Sequence, residues 1–127
     1  SIDACIVGAD SILPNGSFLN KTGTHLMAMA ALNANVPMIV LADTTKIRHT
    51  TDYSGEEAPI EDFFTSTFSP STTPEIASGR LSFQNPAFEL TPRYQNVTFV
   101  SEIGTLNAQT LNDFATKLTE IWKFVEA

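Results

Sequence analysis

Apolar residues along this chain gather into two kinds of run. Ile2 to Gly8 and Val36 to Ala42 are short and nearly continuous, the pattern of buried strands in a parallel sheet. Pro37 is tolerated because it precedes the central ladder of its strand. Between them, Leu26, Met27, Met29, Ala30 and Leu32 lie among further alanines, which predicts a helix over 20–33. Asn33 or Asn35 can end it in a left-handed turn. Residues 11–19 contain Pro14-Asn15-Gly16 and read as a loop, with Gly16 available for a positive φ. Strand, helix and strand in this order form a βαβ unit with parallel strands, whose ligand sites lie at the carboxyl ends of the strands. Asp10 and Asp43 both fall at such ends.

Residues 43–80 show no such period and read as mostly irregular. One short helix is expected over 59–64, where Glu61 and Asp62 would sit at its positive end. Leu81–Phe83 and Phe88–Leu90 read as short strands around the Asn85-Pro86 turn. Thr91-Pro92 has the form of an N-cap followed by a first-turn proline, which suggests a helix over 92–102, although Val97–Val100 has strand character. Over 107–125, Leu111, Phe114, Ala115, Leu118, Ile121, Trp122 and Val125 recur at spacings of three and four and predict an amphipathic helix. Its stripe suits either the core or a partner.

These elements predict one α/β domain over 1–127, Rossmann-like and three-layered, with a mostly parallel sheet. The chain opens directly into a strand, without an initiator methionine or a leading helix. The expectation is therefore the C-terminal half of a larger protein, with the upstream part missing.

Composition narrows the function. The chain has 127 residues, 43% of them hydrophobic and 17% charged, enough for one packed core. Seven basic against fourteen acidic residues give a net charge of -7, which argues against direct nucleic-acid binding. Cys5 is the single cysteine, so an intrachain disulfide or a cysteine metal cluster is excluded, and it reads as an inert buried thiol. No signal peptide or membrane span is visible, so the expected compartment is the cytoplasm. The Asn-x-Ser/Thr triplets at Asn15, Asn20 and Asn96 are then accidental.

Candidate chemistry begins at Gly8-Ala9-Asp10, followed about ten residues later by Asn20-Lys21-Thr22-Gly23-Thr24 at a helix start. A carboxylate that moves protons, an amide, an ammonium and helix N–H donors suit a phosphorylated polar ligand. The same residues also fit a turn aspartate and a helix-capping asparagine. His25 reads as a helix-face histidine, Met27 and Met29 as core filling, and His49 as a solvated loop residue. Lys46 fits an anion site and an exposed loop equally. No metal or cofactor is called for.

The chain from Gly8 to Gly16, with Asn20 to Thr24, resembles the family of methylthioribose-1-phosphate isomerase, ribose-1,5-bisphosphate isomerase and the α, β and δ subunits of translation initiation factor 2B. The likeness continues through Val36-Pro37, Ala42-Asp43-Thr44-Thr45-Lys46-Ile47, Asn85 to Pro92, and Ser101-Glu102-Ile103-Gly104, leaving 48–80 unmatched. It implies that Asp10 is a catalytic acid/base and that Asn20 and Lys21 contact a sugar-phosphate. It also implies a homo- or hetero-oligomer formed through this domain. The isomerases of the family use an upstream cysteine that Cys5 cannot replace, so the segment alone should be inert. Glu89 stands where the family more often has aspartate. Two functions are consistent with the resemblance: part of an aldose–ketose isomerase, or a sugar-phosphate-sensing regulatory subunit of a guanine-nucleotide exchange complex.

Overall fold

The computed structural model describes residues 1–126, which form the elements β1 (Cys5–Gly8), β2 (Ser11–Ile12), β3 (Phe18–Lys21), α1 (Thr24–Asn33), β4 (Met38–Leu41), α2 (Pro74–Ala77), β5 (Phe88–Thr91), β6 (Val97–Ser101), β7 (Gly104–Leu106) and α3 (Ala108–Glu126). The chain makes two compact units, one of residues 1–54 with 89 onward, the other Gly55–Phe88.

In the first unit a four-stranded sheet runs in the order β1-β4-β6-β7. The first three strands are parallel, and β7 turns back antiparallel on β6. With its helices this is the expected α/β arrangement with a mostly parallel sheet, although among the described residues the helices pack on one face of it and the expected third layer is not seen. A second sheet, β2-β3-β5, stands beside the strand ends. The expected 11–19 loop is thus a hairpin, closed by Leu13–Ser17 with Gly16 at φ 82°.

Two helix expectations need correction. The first helix begins at Thr24, not Asn20, because Asn20 and Lys21 belong to β3 and Gly23, at φ 105°, breaks the chain direction between strand and helix. No helix covers 92–102: β-branched Val97, Thr98 and Val100 form β6, pairing with β4 from Met38↔Val97 to Leu41↔Val100. Thr91 caps nothing; it is fully buried, and its hydroxyl has no hydrogen-bond partner among the described residues. The last helix is as expected, and its start is fixed by Asn107, whose side-chain oxygen accepts from the Thr110 N–H at 2.9 Å.

Strand periodicity decides where the core lies. Cys5, Met38 and Val97 are aligned across the sheet, as are Val7, Val40 and Phe99, so these six share one face. Ala28 of α1, Leu111, Phe114 and Leu118 of α3, and Ile12 and Phe18 of the hairpin pack into the same cluster. Phe18 meets Phe99 edge to face, with ring centroids 5.6 Å apart. The opposite face carries Ile6, Ile39, Leu41 and Val100, and there Ile6 is 62% and Leu41 50% exposed.

Helix α1 buries the small residues Ala28 and Ala31 and turns Leu26, Met27 and Met29 outward. Met27 and Met29 are therefore not core filling. An alanine face lets the helix approach the sheet closely, and a helix apolar all round cannot reveal from its period which side that will be. His49 is not merely solvated; it is half-buried, with its ring centroid 5.4 Å from that of Trp122.

The second unit has little regular structure. The expected helix near 59–64 is a 3₁₀ turn, Ile60–Phe63. Leu81–Phe83 is not a strand: Phe83 instead centres an aromatic group, 5.7 Å from Phe63 and 6.0 Å from both Phe64 and Phe68, centroid to centroid. Glu57 and Pro86 form an isolated bridge, flanked by the Ala58 N–H to Asn85 and the Ala87 N–H to Glu56 hydrogen bonds.

Candidate functional site

The carboxyl ends of β1, β4 and β6 open into a cleft of about 450 Å³, lined by Gly8, Ala9, Asp43, Lys46, Ser101 and Glu102 among others. This is where an open parallel sheet places its ligands, since strand ends expose backbone groups that the ladder no longer satisfies. Asp10 follows Ala9 at the rim.

The hairpin fixes the relation of Asp10 to the next candidates. Its N–H donates to the Leu19 carbonyl at 2.8 Å, and β2 pairs with β3 through Ser11↔Leu19 and Ile12↔Phe18. Asp10 lies just before β2 and is held by this bond beside Leu19, the residue that precedes Asn20 and Lys21 in β3. Asp10 and Lys21 are exposed, and Asn20 is half-buried. The Asn20 amide donates to the Thr24 hydroxyl at 3.0 Å, and that hydroxyl donates to the Lys21 carbonyl at 2.7 Å. Asn20 therefore orients the strand-to-helix turn without capping a backbone N–H. The three residues implied by the resemblance lie at one end of the hairpin.

One expectation is altered by the geometry. The N–H groups of Gly23 and His25 at the start of α1 are not both left for a ligand: Glu89 Oε1 accepts from them at 2.7 and 2.8 Å. The positive end of α1 already holds a carboxylate of the protein. His25 stays on the helix face, where its Nε2 lies 2.7 Å from the Tyr94 hydroxyl.

On the lining of the cleft, two carboxylates are tied to threonines. Asp43 accepts from the Thr45 N–H at 3.0 Å and from the Thr45 hydroxyl, capping the 3₁₀ turn Thr44–Lys46. Glu102 accepts from the Thr44 N–H at 3.0 Å and from the Thr44 hydroxyl. The Thr45 hydroxyl lowers the Asp43 pKa, aided by the Thr45 N–H and Lys46. The Thr44 hydroxyl is likewise the main cause of the lowered Glu102 pKa. Both groups are held ionised, and the turn they anchor carries Lys46 on the cleft lining. Lys46 and Glu102 escaped selection as site residues, although aspartate followed by two threonines at a strand end is a recognisable turn signal. Among the described residues, no three His, Cys, Asp or Glu side chains are grouped to hold a metal ion. No described helix is long and apolar enough to cross a membrane.

A mostly parallel sheet with a cleft at its strand ends defines an open-sheet α/β domain. Residues 1–108 match the Initiation factor 2 subunit family, and the chain belongs to it. It is 38% identical over 105 residues to ribose 1,5-bisphosphate isomerase of Archaeoglobus fulgidus, covering 83% of this chain and 32% of that protein. The crystal structure of 5-methylthioribose 1-phosphate isomerase from Pyrococcus horikoshii superposes with a TM-score of 0.67 and 28% identity, covering 94% of this chain and 33% of the other. That of translation initiation factor eIF-2B subunit delta from A. fulgidus gives 0.68 and 28%, covering 91% and 34%. The chain thus spans about a third of the length of the relatives it matches.

Proposed function

We propose that this chain is the sugar-phosphate-binding domain of an aldose–ketose isomerase acting on a ribose-1-phosphate derivative, completed by an upstream part of the polypeptide. The observation that carries the reading is the hydrogen bond from the Asp10 N–H to the Leu19 carbonyl, which holds Asp10 beside the strand that carries Asn20 and Lys21. Aldose–ketose isomerisation needs a group that gives and takes protons on the sugar, and Asp10 is that acid/base. Asn20 fixes a sugar hydroxyl by hydrogen bonding, and Lys21 supplies a charge-assisted contact to phosphate. The turn held by Asp43 and Glu102 brings Lys46 to the strand-end cleft as a further cation. The domain alone is inert, because half of the pocket and its water exclusion come from elsewhere. Oligomerisation through this domain and a cytoplasmic location belong to the same proposal.

The test is Asp10→Asn in the full-length protein, with isomerase turnover and ribose 1-phosphate affinity measured beside the parent. Turnover should fall about a hundredfold or more, because proton transfer is lost while shape and hydrogen bonding are nearly kept. Undiminished turnover sinks the role given to Asp10.

A second reading rests on the TM-score of 0.68 with the eIF-2B delta subunit: a regulatory subunit of an exchange complex that senses the same ligand without converting it. Under it, the parent protein binds ribose 1-phosphate but turns nothing over.

A further inference from the structure

We infer that Glu89 is a positioning residue: its carboxylate stands as a built-in anion at the start of α1 and locks the turn that presents Asn20 and Lys21. The inference deepens the sugar-phosphate reading and rests on it for the ligand. The helix cannot stabilise its own start. Gly23 at the N-cap has no side chain, and the first turn contains no acidic residue. A helix left this way has unpaired N–H donors and an uncompensated positive end.

Glu89 meets both needs from 66 residues away in sequence, with one oxygen accepting from the Gly23 and His25 N–H groups. A second tie comes from the same stretch of chain, where the Tyr94 hydroxyl lies 2.7 Å from His25 Nε2. Within the turn, the Asn20 amide, the Thr24 hydroxyl and the Lys21 carbonyl are linked in series. The backbone that Glu89 holds at Gly23 and His25 flanks Thr24, whose hydroxyl ties Asn20 to Lys21, so the turn presenting both residues is fixed from two sides. The carboxylate also adds negative charge close to where a phosphate would approach. Charge and geometry act in opposite directions on affinity, which makes them separable.

The test uses the full-length protein, its Glu89→Ala and Glu89→Gln variants, ribose 1-phosphate titrated by calorimetry, and amide hydrogen exchange at Gly23 and His25. In Glu89→Ala, exchange at both amides should accelerate about tenfold or more, since their acceptor is gone. Ribose 1-phosphate affinity should drop about tenfold, and added formate should restore it by filling the vacated anion position. Glu89→Gln keeps an oxygen acceptor without the charge, so its affinity should match or exceed the parent's. Unchanged exchange in Glu89→Ala overturns the inference. So does an affinity loss that formate leaves untouched and Glu89→Gln shares, because that pattern marks general packing. A parent protein that fails to bind ribose 1-phosphate defeats the functional reading instead, and the exchange data then decide the hold of Glu89 on the turn.

Discussion

Glu102, just past the end of β6, takes both the backbone N–H and the hydroxyl of Thr44, just past the end of β4. The pair ties together two neighbouring strand ends at the cleft. It lowers the Glu102 pKa chiefly through the hydroxyl, so Thr44→Val should move that pKa up towards the ordinary glutamate value. A carboxylate with a lowered folded-state pKa stabilises the fold at pH above its unfolded value, and this contribution disappears as pH falls through the folded value. The variant should therefore lose stability relative to the parent at neutral pH and converge with it in acid. Carbon NMR titration of the Glu102 carboxyl checks the shift, and an unmoved pKa refutes the assignment of its cause.

Lys21→Ala should weaken binding of ribose 1-phosphate to the full-length protein by about 1.5–3 kcal/mol while changing turnover at saturation little. Calorimetry and steady-state kinetics separate the two effects. Loss confined to turnover would move Lys21 from binding to chemistry.

Gly16→Ala should destabilise the hairpin. The position has φ 82°, and an added Cβ would stand 2.5 Å from Arg93 Cδ. The arginine chain can swing aside, but the left-handed backbone still costs about 1–2 kcal/mol with a Cβ present. Urea unfolding measures the cost, and a neutral outcome would contradict the turn geometry.

Exposed Phe124 and Val125 near the end of α3 extend its apolar stripe beyond the core-packed Leu111 and Ala115. If this end supports the proposed oligomer, Phe124→Glu should shift the sedimentation profile towards monomer with stability changed by no more than about 0.5 kcal/mol. An unchanged profile removes α3 from the interface.

The parallel strands were legible because continuous apolar runs such as Met38–Leu41 have few other uses in a chain this size. The three-four pattern of apolar residues over 107–125 likewise marked α3. Residues 92–102 misled because local signals conflicted: Thr91-Pro92 imitates a helix start, while pairing with β4, which no local rule sees, makes Val97–Ser101 a strand. Met27 and Met29 were misassigned for the opposite reason, since α1 has no polar face to indicate which side turns outward. At the candidate site, Asp10, Asn20 and Lys21 could be named from sequence, but the bond that holds Asp10 beside β3 depends on hairpin pairing. The Glu89 contact joins positions 66 and 64 residues apart, and no spacing rule reaches so far.

The one-sided sheet has a thermal consequence. Ile6 and Leu41 remain wet in the folded chain, so unfolding adds less apolar hydration than its length would suggest. The heat-capacity increment of this chain as a monomer should therefore fall below the usual about 12–15 cal/mol/K per residue, and its stability curve should be correspondingly flat. Any protein surface that covers the bare face recovers the missing increment as a negative heat capacity of association, which makes that contact weaken on cooling.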